Sequence, residues 1–155
     1  MVANTLLHGQ QGLETLLRVS KETYTSELEY VAWIVKCYIA TNSPEEAWDS
    51  YLQIEDSNIA NEVLRLIGNE CYKFGGEMFL YSARSFAELL KTDAYSDSDH
   101  DGLIGACVGF FRHAIHNKLQ AGSELMDVVD MLESSSLSKC KKIAGVIQTF
   151  IHNRT

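Results

Sequence analysis

Residues 37–51 read CYIATNSPEEAWDSY, and this stretch decides the fold. Ser43 stands where a helix N-cap would be, Pro44 at the first helical position, and Glu46 three residues after the cap. Proline is tolerated there because the first turn has no use for its missing N–H. A helix is therefore expected over PEEAWDSYLQIE, with Ala47, Trp48, Tyr51, Leu52 and Ile54 buried. Upstream, residues 26–41 place Leu28, Val31, Ile34, Val35 and Tyr38 on one stripe of a second helix. The two would form a hairpin.

Working outward, the same pattern returns. Cys37-Tyr38 recurs as Cys71-Tyr72, 34 residues on, and Leu13 with Ala47 and Leu17 with Tyr51 share that offset. Thirty-four residues is the tetratricopeptide period. Tyr38, Ala47 and Tyr51 supply its aromatic, small and second aromatic positions, although Val31 and Val35 replace the signature tryptophan and glycine. A small residue lets paired helices approach, and aromatics fill the space between hairpins. Further helices are expected at 12–20, about 58–74 (Val63, Leu64, Ile67, Cys71, Phe74), 78–91 (Phe79, Ala83, Phe86, Leu89, Leu90), 100–117, 121–133 and 137–152. The last would turn Ile143, Val146, Ile147 and Phe150 inward. The expected fold is all-α, a tetratricopeptide-like α-solenoid of antiparallel hairpins with a C-terminal capping helix; a non-repetitive helical bundle is the alternative. One helical-repeat domain over 1–155 is expected, with repeats at about 12–95 and a modified terminal hairpin and cap at 96–155.

Charge and composition narrow the function. The 155 residues are 46% hydrophobic and 22% charged with net charge −8, so a nucleic-acid partner is not expected, because phosphates need a basic footprint. No apolar run reaches the ~20 residues of a membrane span, so no membrane insertion is expected. Cys37, Cys71, Cys107 and Cys140 stand alone in apolar helical contexts, which predicts small buried hydrophobes of a reducing, intracellular compartment. Acid recurs at Glu124, Asp127, Asp130 and Glu133, whereas residues 137–155 carry Lys139, Lys141, Lys142 and Arg154 without any acid.

Residues 97–108, DSDHDGLIGACV, open like a calcium loop at Asp97, Asp99, Asp101 and Gly102. Position twelve is Val108 and position nine Gly105, so half the oxygen ligands are absent. Ser98, Asp99 and Asp101 instead suit a helix start. His113 and His116, with His100 a loop away, lack the further ligands that zinc needs, and Cys107 lies on another face. Cys107 and His113 are separated by roughly 9 Å of helix axis, too far for a nucleophilic dyad. No metal, cofactor or catalytic residue is expected. Gly102, Gly105 and Gly109 share one helix face. Each costs ~1 kcal/mol against alanine, so a neighbouring helix is expected to approach closely there, with Phe110 and Phe111 at the edges.

YVAWIVKCYIATNSPEEAWDSYLQIE, LIGNECYKFGG, YSARSFAELL and above all GACVGFFRHAI resemble, in this order, the C-terminal part of the intraflagellar transport protein fifty-six family, also called tetratricopeptide repeat protein twenty-six. The resemblance runs from about Gly12 to the C-terminus, with Cys71–Lys73 and 105–109 as its most specific anchors. It implies a non-catalytic scaffold subunit of intraflagellar transport complex B. Such a subunit acts in cilium and flagellum assembly and in delivery of motility components, at the cilium or flagellum, basal body and cytoplasm. The implied partners are other complex B subunits, foremost the one numbered forty-six, and motility cargo. The expectation is a C-terminal piece of a longer repeat protein, with Met1 added. A generic cytoplasmic tetratricopeptide adaptor and an ion-sensing helical module are the rival readings.

The inner helices would turn Ala32, Lys36 and Ala40, and Leu66, Glu70 and Phe74, toward a groove. The Lys and Asn pattern of a carboxylate clamp is missing, so a groove ligand would be a protein segment held by apolar contact. Lys36, Lys73 and Phe74 are the candidate protein-binding residues.

Overall fold

The computed structural model describes residues 27–154, and the helix expected at 12–20 lies outside them. The chain is all-α, with seven α-helices and no strand among the described residues. They are α1 (Glu27–Ala40), α2 (Pro44–Leu52), α3 (Ser57–Phe74), α4 (Phe79–Thr92), α5 (Asp97–His116), α6 (Gly122–Glu133) and α7 (Ser138–Arg154); a 3-10 turn, Gly76–Met78, precedes α4. None is long and apolar enough to cross a membrane. Contacts divide the chain into two compact units that meet between Cys71 and Tyr72, inside the last turn of α3.

The first unit contains the α1–α2 hairpin. Ile34 and Cys37 form its buried seam, with Tyr30, Trp33 and Tyr38 packed against it. Ala47 is fully buried, and Trp48 and Tyr51 meet with ring centroids 5.1 Å apart. The buried Ala47 thus leaves room for the paired helices, as the repeat pattern expects of its small residue. Leu52, expected in the core, is 62% exposed. It lies five residues from Ala47, about 140° round the helix at 100° per residue.

The turn between α1 and α2 closes in Asn42, at φ 61°. The N–H of Asn42 donates to the carbonyl of Ile39 (3.1 Å) and that of Ser43 to the carbonyl of Tyr38 (2.8 Å). These are the two bonds of a Schellman ending. They also undo the expected capping box. Ser43 stands at the cap of α2, but its side chain makes no cap bond. Glu46 has no Ser43 N–H to accept, because that donor belongs to Tyr38. Asp56, which the sequence pattern passed over, caps α3 by accepting from the N–H groups of Asn58 (2.9 Å) and Ile59 (3.2 Å).

The second unit packs α4 on α5, α6 on α7, and α6 against both α4 and α5. Cys140, Ala144 and Ile147 give α7 a buried i, i+4, i+7 stripe. Val146, expected inward, is 63% exposed because it lies about 100° off that stripe. Phe150 reaches Phe111 edge-on at 5.2 Å. The α5–α6 turn repeats the Schellman ending at Lys118, φ 53°, with bonds from Lys118 N–H to Ile115 (3.2 Å) and Leu119 N–H to Ala114 (3.0 Å). A residue with a β-carbon costs about 1 kcal/mol in that conformation. Lys118→Gly is therefore expected to stabilise the unit by about 0.5–1 kcal/mol and raise Tm by about 2–4 °C. An unchanged or lower Tm in a calorimetric scan would show that the lysine side chain contributes more than the backbone strain costs.

Candidate interaction surface

Residues 97–101 are the first turn of α5, not a loop. The helix begins three residues earlier than the pattern suggested, with Ser96 as its cap: the Ser96 hydroxyl accepts from the Asp99 N–H at 3.3 Å. Asp97 and Asp101 share one face of the helix, but Asp99 lies about 200° round the axis and is buried, so the three carboxylates do not converge on an ion as in a calcium loop. No group of three His, Cys, Asp or Glu side chains among the described residues is arranged to hold a metal. His100 is buried and donates from Nε2 to the Ala94 carbonyl at 2.9 Å, while Nδ1 faces the Ser135 hydroxyl at 3.4 Å. His113 bonds to Asn117. All four cysteines are buried and outside any disulfide. Burial pushes the thiols of Cys71 and Cys107 up to about 12, which keeps them protonated and poor as nucleophiles at neutral pH.

The glycine face of α5 does bring neighbours in closely. A Cβ on Gly102 would lie 2.7 Å from the Phe86 ring, one on Gly105 2.7 Å from the Tyr72 hydroxyl, and one on Gly109 2.8 Å from the Phe79 ring. The aromatics that use these gaps come from α4 and the end of α3; Phe110 is buried on another side and Phe111 turns to Phe150. Tyr72 and Phe79 also meet edge-to-face at 5.4 Å. Three glycines cost α5 roughly 3 kcal/mol relative to alanine. Burying Phe86 returns about 2–3 kcal/mol, and the half-covered Tyr72 and Phe79 supply the remainder. Tyr72 and Gly105 come from the two stretches that anchor the family resemblance. In the fold they touch each other.

That packing fixes the end of α3, where Lys73 and Phe74 are presented. Phe74 is 50% exposed and Tyr72 44% exposed, so two aromatic side chains of the last helical turn keep large faces toward solvent, on different sides of the helix. Gly75 and Gly76 break the helix immediately after them, both at positive φ, as their lack of a β-carbon permits. Lys36 is exposed on α1. It belongs to the first unit, and Lys73 and Phe74 to the second. Tyr72 was read as a repeat aromatic and missed as a surface residue; its helical position on the same side as a filled glycine gap carried no sequence signal for its remaining exposure.

The sequence model of the family described as Intraflagellar transport protein 56 matches residues 3–155. The chain is also 25% identical over 123 residues to the Intraflagellar transport protein 56 homolog of Caenorhabditis elegans, covering 78% of this chain and 21% of that protein. It thus spans about one fifth of the relative's length. Because that family model matches nearly the whole chain, residues 3–155, the protein belongs to the Intraflagellar transport protein 56 family.

Proposed function

We propose that this chain is a protein-interaction part of a non-catalytic subunit of intraflagellar transport complex B, acting in cilium and flagellum assembly and in delivery of motility components. Family membership carries the reading. The structure supports it by offering exposed aromatic area at Tyr72 and Phe74 on a helix end fixed by close packing. Rigid aromatic side chains lose little conformational entropy on binding, which suits them as anchors. The partners are other complex B subunits, foremost the one numbered forty-six, and the sites are the cilium or flagellum, basal body and cytoplasm. Lys73 and Phe74 contact a protein segment by apolar packing with a cationic edge; Lys36, exposed on the first unit, is a separate candidate contact.

Copurification of the chain with individually purified complex B subunits tests this. Phe74→Ala is expected to weaken capture about tenfold, the scale of a removed anchor, and Lys36→Glu and Lys73→Glu to weaken it less. Undiminished capture by Phe74→Ala would remove the α3 end from the interface. A full protein that stays diffuse in the cytoplasm of ciliated cells would favour a generic adaptor instead.

A further inference from the structure

Between α4 and α5 the chain makes a short turn, and Tyr95 stands on it with 91% of its surface in water. No other large hydrophobic side chain among the described residues is so exposed. A tyrosine ring gains nothing for the fold in that position. The backbone beneath it is held firmly. The Tyr95 N–H donates to the Asp93 carboxylate at 3.2 Å, and the Ser96 N–H to the Asp93 carbonyl at 3.4 Å. Immediately before Tyr95, the Ala94 carbonyl accepts from the buried His100 ring; immediately after it, Ser96 caps α5. His100 also reaches Ser135 in the α6–α7 turn, so the loop is tied to a second part of its own unit. Such a ring loses little freedom when it enters a pocket, and tyrosine is among the side chains enriched at interface hot spots.

The surroundings of Tyr95 specify the partner's chemistry. Asp93, Asp97 and Asp101 are all exposed on the turn and the first turn of α5. None of these three carboxylates forms an ion pair with a described residue, unlike Asp127, which pairs with Arg84, and Glu88, which pairs with Lys91. An exposed aromatic rimmed by carboxylates is complementary to a pocket rimmed by lysine or arginine, where cation–π contact with the ring adds to charge pairing.

We propose that Tyr95 is the anchor of a second protein-docking surface, in which its ring enters a pocket on another protein whose rim is basic and pairs with Asp93, Asp97 and Asp101. This surface is separate from the one at Phe74 and stands or falls without it.

Site-specific photo-crosslinking in the full protein tests it, with p-benzoylphenylalanine placed at position 95, at 74, and at exposed Leu137 as control. The expected result is an adduct from position 95 that maps by mass spectrometry to a pocket flanked by lysine or arginine on a different protein. With that protein purified, Tyr95→Ala should weaken binding about tenfold or more. Charge reversal at Asp93, Asp97 and Asp101 together should weaken it further and abolish its salt sensitivity. Because Tyr95 is exposed, Tyr95→Ala should leave Tm unchanged, which separates lost docking from lost folding. Adducts from 74 but none from 95 overturn this proposal and leave the Phe74 surface standing. So do adducts from 95 no more abundant than from 137, or confined to neutral or acidic surfaces or to a second copy of the chain.

Discussion

Phe86→Ala is expected to destabilise the second unit by about 3–5 kcal/mol, the cost of emptying a packed aromatic site. Phe86 is 5% exposed, and its ring closes on Gly102 of α5. The glycine sharpens the test. In the native background, Gly102→Ala gains ~1 kcal/mol of helix propensity but drives a Cβ to 2.7 Å from a ring that has no space to retreat. Overpacking of this kind costs about 1–3 kcal/mol, so the net change is destabilising. In the Phe86→Ala background the ring is gone, and the same Gly102→Ala should stabilise by about 1 kcal/mol. The sign reverses, a coupling that a double-mutant cycle in urea reads directly. Equal effects of Gly102→Ala in both backgrounds would show that the close approach of α4 is not what requires glycine. Gly105 should behave more mildly, because the atom in its way is the tip of the half-exposed Tyr72.

Alkaline pH is expected to unfold the protein through its buried thiols. Burial is the main cause that pushes Cys71 and Cys107 from their ordinary value of 9.0 up to about 12, with the Glu70 carboxylate adding at Cys71 and the Cys140 thiol at Cys107. The folded value lies above the unfolded one, so the unfolded chain loses its thiol protons first. The stability this contributes is intact below pH 9 and is lost as pH rises from 9 toward 12. Each thiol removes about 1.4 kcal/mol per pH unit from its own unit once pH is well above 9. By pH 11 that approaches the few kcal/mol by which a small domain is stable. Urea midpoints measured from pH 7.5 to 10.5 should fall steeply above pH 9. Cys107→Ala should flatten the fall in the second unit, while tyrosine and lysine titration, common to both proteins, cancels in the comparison. Equal slopes for Cys107→Ala and the native protein would mean that the thiol ionises as easily folded as unfolded.

Much of the fold was legible in the sequence because it was written in local pattern. Pro44 started α2, the apolar stripe of residues 26–41 made α1, and the 34-residue offset picked out Ala47, which is fully buried, and Tyr38, which packs on the Ile34–Cys37 seam. The glycine spacing in α5 announced a close approach. What the spacing could not say was whose side chains would approach, since Phe79, Phe86 and Tyr72 reach the gaps only when α4 and α5 are folded together. The expected core positions of Leu52 and Val146 failed for a related reason. Each is apolar, but Leu52 lies about 140° from Ala47 and Val146 about 100° from the α7 stripe, and that leaves both to water.

The candidate surfaces divide in the same way. Lys36 and Phe74 follow from the repeat register and Lys73 stands beside Phe74; all three are exposed, Lys36 on its own unit. Tyr95 left no periodic signal, because a residue in a four-residue turn belongs to no helical face. The sequence alone determined that this protein is all-α, built from helical hairpins, and where its seven described helices begin and end to within about three residues, since those features depend on contacts within a few turns of chain. Only the tertiary structure decided that three glycines seat three particular aromatics and that Tyr95 is left to the solvent. Those outcomes depend on which distant atoms fill or leave open the space around each residue, and spacing along one chain does not encode that.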